Sequence, residues 1–440
     1  MDDEVKYSSE NHSNVQLLPE GWTSHAIKNL AYLNKTNLNN QMNCQVIHYI
    51  DIDSVEEGVV KNIKDMDVKD APSRAKRIVN DKDILISSVR PNLRHYCRIR
   101  SPKPCTIAST GFAVLTPKEI NPDFLYYSLT TKAFTNYLSA IAETSTTAYP
   151  SITADIIANY SIACPPANEQ KTIAKILSDL DSKIELNQQM NKTLESTAKA
   201  IFKHWFIDFE FPNENGEPYK SSAGRMVDSE LGKIPREWKV GKLANYVKAI
   251  KGCSYRSEDL KESNIALVTL KSFNRGGGFN QDGYKEYVGD YDQDQILNEG
   301  DIIIAQTDLT QKAEVIGRAA IVNSLGKYSR LIASLDLQIV RPKESLPLNY
   351  IYYLLNRDAF HNHALSYTNG TTVLHLNKNA VSEYMIVVPP RDILERFDLC
   401  TTASIKKIGS NIRENDGLEN IRDLLLPKLM TGKIRVPLES

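Results

Sequence analysis

Apolar residues recur at alternating steps of four and three along Ile173, Leu177, Leu180 and Ile184, and again along Leu194, Ala198, Ile201 and Trp205. This spacing predicts one long amphipathic helix carrying a heptad stripe. The middle of the stripe is polar, because Asn187 and Asn191 stand at the two steps between these runs. A second walk through Phe397, Thr401, Ser404, Ile408, Asn411, Asn415, Leu418, Arg422 and Leu425 repeats the pattern with both asparagines in phase. The stretches "IELNQQMNKTLE" and "IGSNIRENDGLE" share I-x-x-N-x-x-x-N-x-x-L-E. A single heptad stripe is most often a helix face packed on its own domain. Two stripes whose polar steps coincide predict instead that the helices pair with each other. An antiparallel pair would place Asn187 near Asn415 and Asn191 near Asn411, so that each buried amide finds a partner only in the correct register. The second helix is the poorer one, with Thr401, Ser404, Gly409, Gly417 and Arg422 on or near its seam. It is not expected to stand alone.

The same duplication runs through the rest of the chain. "LPEGWTSHAIKNL" is answered by "IPREWKVGKLANY", which matches Trp22 to Trp238. "DILISSVRP" from Asp83 and "DIIIAQTDL" from Asp301 are short apolar bursts that read as buried strands. Tyr126 and Tyr127 fall on Tyr352 and Tyr353, "TTAYPSI" on "TTVLHLN", and Pro165-Pro166 on Pro389-Pro390. The landmarks keep one order in both halves, as an internal repeat requires. The sequence therefore predicts an α+β protein with two similar domains and two long helices forming an antiparallel coiled coil. Its expected segments are a flexible tail at 1–16, a first domain at 17–164, a first helix at 165–210 and a linker at 211–234. A second domain at 235–388, a second helix at 389–428 and a C-terminal tail at 429–440 complete it. The linker is marked by the Gly, Pro, Ser and Asn of "FPNENGEPYKSSAGRMVDSELGKIP".

Composition narrows the chemistry. The 53 Lys+Arg and 54 Asp+Glu nearly cancel, which excludes a uniformly basic coat and restricts any nucleic-acid surface to local patches. The six cysteines form no C-x-x-C pair and have no histidine at ligand spacing, so neither a zinc site nor a disulfide framework is expected, and the thiols read as reduced in a cytoplasmic protein. No membrane span and no phosphate loop, G-x-G-x-x-G or H-E-x-x-H motif is found. "NRGGGF" lacks the Lys-Ser/Thr of a phosphate loop and reads as a plain loop. No catalytic residue and no metal ligand is assigned.

Together, the duplicated plan, Pro165-Pro166-x-x-Glu169-Gln170, the Ile201–Phe209 stretch "IFKHWFIDF" and Leu425–Leu429 "LLPKL" followed by Gly432 resemble the specificity (S) subunit of type I restriction-modification systems. The resemblance covers essentially the whole chain. The second helix opens differently, as Pro389-Pro390-Arg391-Asp392-Ile393-Leu394. The resemblance implies a non-catalytic subunit with two target-recognition domains, each reading one half of a bipartite, asymmetric site in double-stranded DNA. It further implies helices that act as a spacer, two modification (methyltransferase) subunits docked around them, and restriction (translocase/endonuclease) subunits in the full complex. No cofactor is implied for this chain, whereas S-adenosylmethionine, ATP and Mg²⁺ belong to the partner subunits.

From Ile84 to Lys118 the chain has no acidic residue but carries Arg90, Arg94, Arg98, Arg100, Lys103 and Lys118, a local positive field suited to phosphates. Arg90 is expected in a loop at a strand end, and Arg98 with Arg100 on one strand face. The matching part of the second half offers Gln306, Thr307, Lys312 and Arg318. Such different chemistry is what two domains reading different half-sites need, since amides and hydroxyls read base edges while Lys and Arg mostly anchor phosphates. Thr146, Thr147 and Tyr149, with Thr371, Thr372 and His375, fall in equivalent loops before the helices. The resemblance places these loops near DNA. Phe202, Trp205, Phe206 and Phe209 exceed what a two-helix seam can bury, and predict partly a docking surface for a modification subunit and partly packing on the second domain. The seam from Ile173 to Trp205 spans about 48 Å at about 1.5 Å per residue, which bounds the gap between half-sites at about 14 base pairs. The competing readings are a duplicated protein-binding scaffold without DNA specificity, and an enzyme whose catalytic motif is not found.

Overall fold

In the computed structural model, the described residues are 18–38, 44–144, 150–274, 278–281, 283–309, 312–343 and 345–437. The chain divides into two compact units: Met1–Ser182 with Leu418–Ser440, and Lys183–Gly417. Each unit holds one α+β domain and a portion of both long helices, which run over Ala167–Phe206 and Arg391–Met430.

Two four-stranded sheets organise the first domain. One has the order Ala31–Leu33, Phe112–Pro117, Ile84–Ser87, Tyr96–Arg98, all antiparallel. The other has the order Lys64–Asp67, Val46–Ile50, Thr106–Ser109, Ala75–Ile78, with a parallel pair at its centre. The second domain repeats both. Val247–Lys251, Leu337–Pro342, Ile302–Ala305 and Ala319–Ile321 form the antiparallel sheet. Tyr284–Glu286, Ile265–Val268, Arg330–Ala333 and Ile296–Leu297 form the mixed one, again with a central parallel pair. The apolar bursts read from the sequence are the inner strands Ile84–Ser87 and Ile302–Ala305, every residue of which is buried. Burial on both faces explains why they show continuous apolar runs instead of alternation.

The parallel pairing overturns the expectation that all thiols are reduced, because Cys44 and Cys105 form a disulfide. Thr106 lies opposite His48, and the His48 amide donates to the Cys105 carbonyl at 3.1 Å. Neighbouring strand starts thus bring two cysteines 61 positions apart to a Cα separation of 6.1 Å. No sequence spacing announces a pairing made by sheet topology. Cys97, Cys164 and Cys253 are free and buried, while Cys400 is free and exposed.

The segments flanking the helices also differ from expectation. Within 211–234, read as a linker, Met226–Ser229 begins a hairpin with Gly232–Pro235, and Phe211 and Ile234 are buried in the second unit's core. Phe211 stacks on Trp238 at 5.0 Å. Similarly, the expected C-terminal tail sends Leu429, Met430 and Val436 into the first unit's core beside Trp22 and Ile27. Each helix is therefore followed by a strap across the start of a domain. Gly432, with φ of 64°, ends the second helix against Pro19 and Trp22, where a Cβ would collide.

The two straps explain why the helix openings differ. In the first unit Glu169 is almost fully buried; it accepts from Trp22 Nε1 at 3.1 Å and from Arg435 at 2.7 and 3.0 Å. At the matching place in the second unit, Ile393 joins Phe206, Phe211 and Trp238 in an apolar core. The buried carboxylate is satisfied where an arginine strap covers it, and hydrocarbon replaces it where the strap is aromatic.

Within the second unit the helices meet at the asparagines. Asn187 Nδ2 donates to Asn415 Oδ1 at 2.8 Å, and Asn411 Nδ2 to Asn191 Oδ1 at 2.8 Å. Partner numbers fall on one helix as they rise on the other, which makes the pairing antiparallel. Asn187 also donates to Glu414 and accepts from Lys183, whereas Asn411 Oδ1 has no partner. The two rungs are unequal.

Candidate nucleic-acid interface

In the second domain, strand Ile302–Ala305 leads through Gln306 into Thr307–Asp308, which pairs with Leu374–Leu376. That strand in turn pairs with Thr368–Asn369 to make a short three-stranded ribbon. Thr307 lies opposite His375, so two residues far apart in sequence meet at one place. Leu374 and Leu376 face inward and His375 faces outward, with Thr371 and Thr372 exposed at the hairpin tip. Lys312 is exposed on the neighbouring loop.

Beneath the ribbon lies a set of polar anchors. Asp308 is buried and accepts from the amides of Val315 and Ile316 at 2.9 and 3.3 Å, which ties those residues to the ribbon. Thr307 Oγ1 donates to Asp336 at 3.0 Å, and Gln306 Nε2 to Gln338 at 3.3 Å. Thr307 is therefore an internal support and not an open reading group, which corrects its sequence assignment. Arg318 is corrected as well: it is half-buried and paired with Asp358 at 3.3 Å. Sequence reasoning placed Asp308 after the strand without giving it this anchoring role and did not single out Asp336, since nothing in their spacing distinguishes a buried loop anchor from a surface acid. It also did not single out Leu309, which stands 73% exposed beside the ribbon.

In the first domain, strand Ile84–Ser87 leads into a turn at Pro91–Leu93 flanked by Arg90 and Arg94, both in the left-handed region. Arg90 is exposed, and its amide donates to the Pro150 carbonyl at 2.8 Å. Ile152 donates to Ser88, and Val89 bridges Ser151, so residues 150–152 lie alongside the arginine turn. Thr146, Thr147 and Tyr149 lie outside the described residues.

The basic cluster does not form one surface. Arg94 folds back onto Tyr96, donating to its hydroxyl at 2.8 Å, and pairs with Glu57 at 3.4 Å. Arg98 is ion-paired with Asp123 and lies over the Tyr126 ring. Burial, reinforced by Arg100, holds its pKa below the usual arginine value. Arg94 and Arg98 are thus structural cations, and the expectation of a shared strand face for Arg98 and Arg100 fails because the strand ends at Arg98. Arg90, Arg100, Lys103 and Lys118 are the exposed members, with Lys103 at 3.6 Å from Asp65. Lys118 donates to the Lys28 carbonyl at 2.7 Å.

The expected docking aromatics are interior. Phe202, Trp205 and Phe206 are at most 9% exposed and pack with Phe397, Trp238 and Tyr350 in the second unit's core, and Phe209 is half-buried on Trp238 at 5.5 Å. The linker strap and the second domain cover this face, which is the packing half of the sequence expectation and not the docking half. Among the described residues, no group of three potential ligands is placed to hold a metal ion, and no helix is long and apolar enough to cross a membrane.

These two strand-end surfaces sit in regions that match, over residues 19–196 and 235–414, a family described as the type I restriction modification DNA specificity domain. The chain belongs to this family. Its relatives in the family include the type I restriction enzyme HindI specificity subunit of Haemophilus influenzae, 27% identical over 419 residues and covering 83% of this chain and 90% of that one. The MjaIX specificity subunit of Methanocaldococcus jannaschii is 29% identical over 331 residues, 74% of this chain and 72% of that one. The crystal structure of the type I restriction-modification S subunit from M. genitalium shares the fold, with a TM-score of 0.55, 16% identity, and coverage of 96% of this chain and 98% of that one. Both copies of the internal repeat are thus specificity domains, and the curated relatives are specificity subunits, a non-catalytic class.

Proposed function

We propose that the chain is the DNA sequence-recognition subunit of a type I restriction-modification complex, each domain reading one half of a bipartite asymmetric site. The observation that carries this reading is chemical difference at equivalent places on a repeated scaffold. Where the first domain turns out an exposed Arg90 after its inner strand, the second buries Asp308 and presents His375, Thr371 and Thr372 instead. An arginine can pair with guanine or a phosphate, whereas hydroxyls and an imidazole suit other base edges. Two different half-sites follow from two different edges. The paired helices act as the spacer, and two modification subunits dock around them, with restriction subunits joining in the full complex. S-adenosylmethionine, ATP and Mg²⁺ act in those partners.

Footprinting of the chain reconstituted with its modification subunits tests the reading. Two protected half-sites separated by an unprotected gap are expected, with their sequences supplied by methylation-sensitive sequencing of the host genome. Absence of sequence-dependent protection would leave a protein-binding scaffold as the better account.

A further inference from the structure

Each tyrosine pair of the repeat ends on a carboxylate of the first long helix. In the first unit Tyr127 Oη donates to Asp181 at 2.6 Å, and Arg422 from the second long helix closes on the same carboxylate at 3.0 Å. In the second unit Tyr352 and Tyr353 donate to the two oxygens of Glu195 at 3.2 and 3.4 Å. Burial raises the phenol pKa of Tyr127 and Tyr353, so both remain protonated donors. Other polar links also join domain and helix, the Asn121 amide donating to Gln170 at 3.1 Å in the first unit and Asn349 to Thr401 and Thr402 at 3.1 Å in the second, and around them the contact is hydrocarbon, in clusters that include Leu177 and Phe397. Apolar contact has no preferred direction, but a hydrogen bond does.

We propose that Tyr127 with Asp181, and Tyr352 and Tyr353 with Glu195, are positioning residues that fix the tilt of each domain on the helix of its own unit. They thereby set the number of base pairs accepted between the half-sites. The leverage is sufficient: a domain of about 150 residues has a radius of about 15 Å, so a tilt of about 13° displaces its edge by one base-pair step of about 3.4 Å. This inference rests on the recognition function proposed above.

The test uses the chain in complex with its modification subunits, and measures methyl transfer to duplexes with intact half-sites at the native gap, one base pair shorter and one longer. Tyr127→Phe and the double variant Tyr352→Phe/Tyr353→Phe keep the ring and remove only the donor. Each is expected to lower the preference for the native gap about fivefold, as loss of a charge-assisted hydrogen bond allows, while discrimination against a mismatched half-site is kept. A gap preference unchanged within about twofold overturns the proposal. Parallel loss of gap and half-site discrimination also overturns it, by marking the tyrosines as merely structural. If the wild-type complex methylates no sequence preferentially, the recognition reading itself fails and takes this inference with it.

Discussion

At the residue scale, the two asparagine rungs carry different amounts of satisfied polarity. Asn187 has Asn415, Glu414 and Lys183 around it, whereas Asn411 leaves one oxygen without a partner. Asn187→Leu would strand the Asn415 amide, at a cost of about 1–3 kcal/mol. The double change Asn187→Leu/Asn415→Leu should recover that loss, since matched hydrocarbon tolerates burial better than an unpaired amide. Urea midpoints check both, and a double variant no more stable than the single would contradict the pairing energetics. A second residue-scale prediction concerns His361, whose Nδ1 is buried without a partner. Burial first, and then Arg318, hold its pKa below the ordinary 6.5, while a backbone hydrogen bond with Ile316, then Asp358 and Asp308, oppose them. The unfolded chain therefore takes up the proton first, so this contribution is complete above pH 6.5 and declines as pH falls below it. Thermal midpoints taken between pH 7.5 and 5.5 should drop less in His361→Gln than in the wild type; equal slopes would exclude His361 as the cause. The asparagines were legible because a polar step interrupts a period. His361 was not, because burial of a single histidine leaves no periodic trace.

At the scale of elements, the Cys44–Cys105 link closes a loop of 61 positions across two parallel strands. In the chain-entropy account such a crosslink contributes about 4 kcal/mol. Reduction, or Cys44→Ser/Cys105→Ser, should lower the first domain's melting temperature while leaving the second domain's transition in place. Peptide mapping of unreduced protein would show the linked peptides, and their absence in oxidised protein would remove the basis for the effect. The aromatic end of the first helix teaches a related lesson. Phe202 and Phe206 looked like surplus apolar surface because the strap that covers them, with Phe211 and the hairpin from Met226, had the composition of a linker. Polar composition marks where a chain can turn, but burial of a few spaced aromatic residues decides where it is held.

At the scale of the molecule, the proposed spacer role makes the gap between half-sites a consequence of helix length. Insertion or removal of a heptad from both helices keeps the stripe in phase, so the protected gap should change while both half-sites remain. Footprints with an unchanged gap would end the ruler interpretation. Salt dependence offers an independent check of phosphate contact at the first domain. If Lys103 holds one phosphate, Lys103→Ala should flatten the slope of log affinity against log salt by about 0.9. An unchanged slope would place Lys103 outside the interface.

The duplication, the inner strands, the two long helices and the polar break in each stripe are legible in the amino-acid order, because each is written as a period or a repeated order of landmarks. Family membership was legible for the same reason: its motifs are contiguous. Tertiary structure alone decided which cations are exposed. Arg90 and Arg98 both belonged to one basic run in sequence, but the left-handed turn exposes one and Asp123, brought in by a separate helix, neutralises the other. It also decided that Cys105 meets Cys44, that Glu169 is satisfied by Arg435, and that His375 stands opposite Thr307. Each of these contacts joins residues whose separation along the chain is set by topology, and side-chain chemistry at one position carries no record of what the fold will bring beside it.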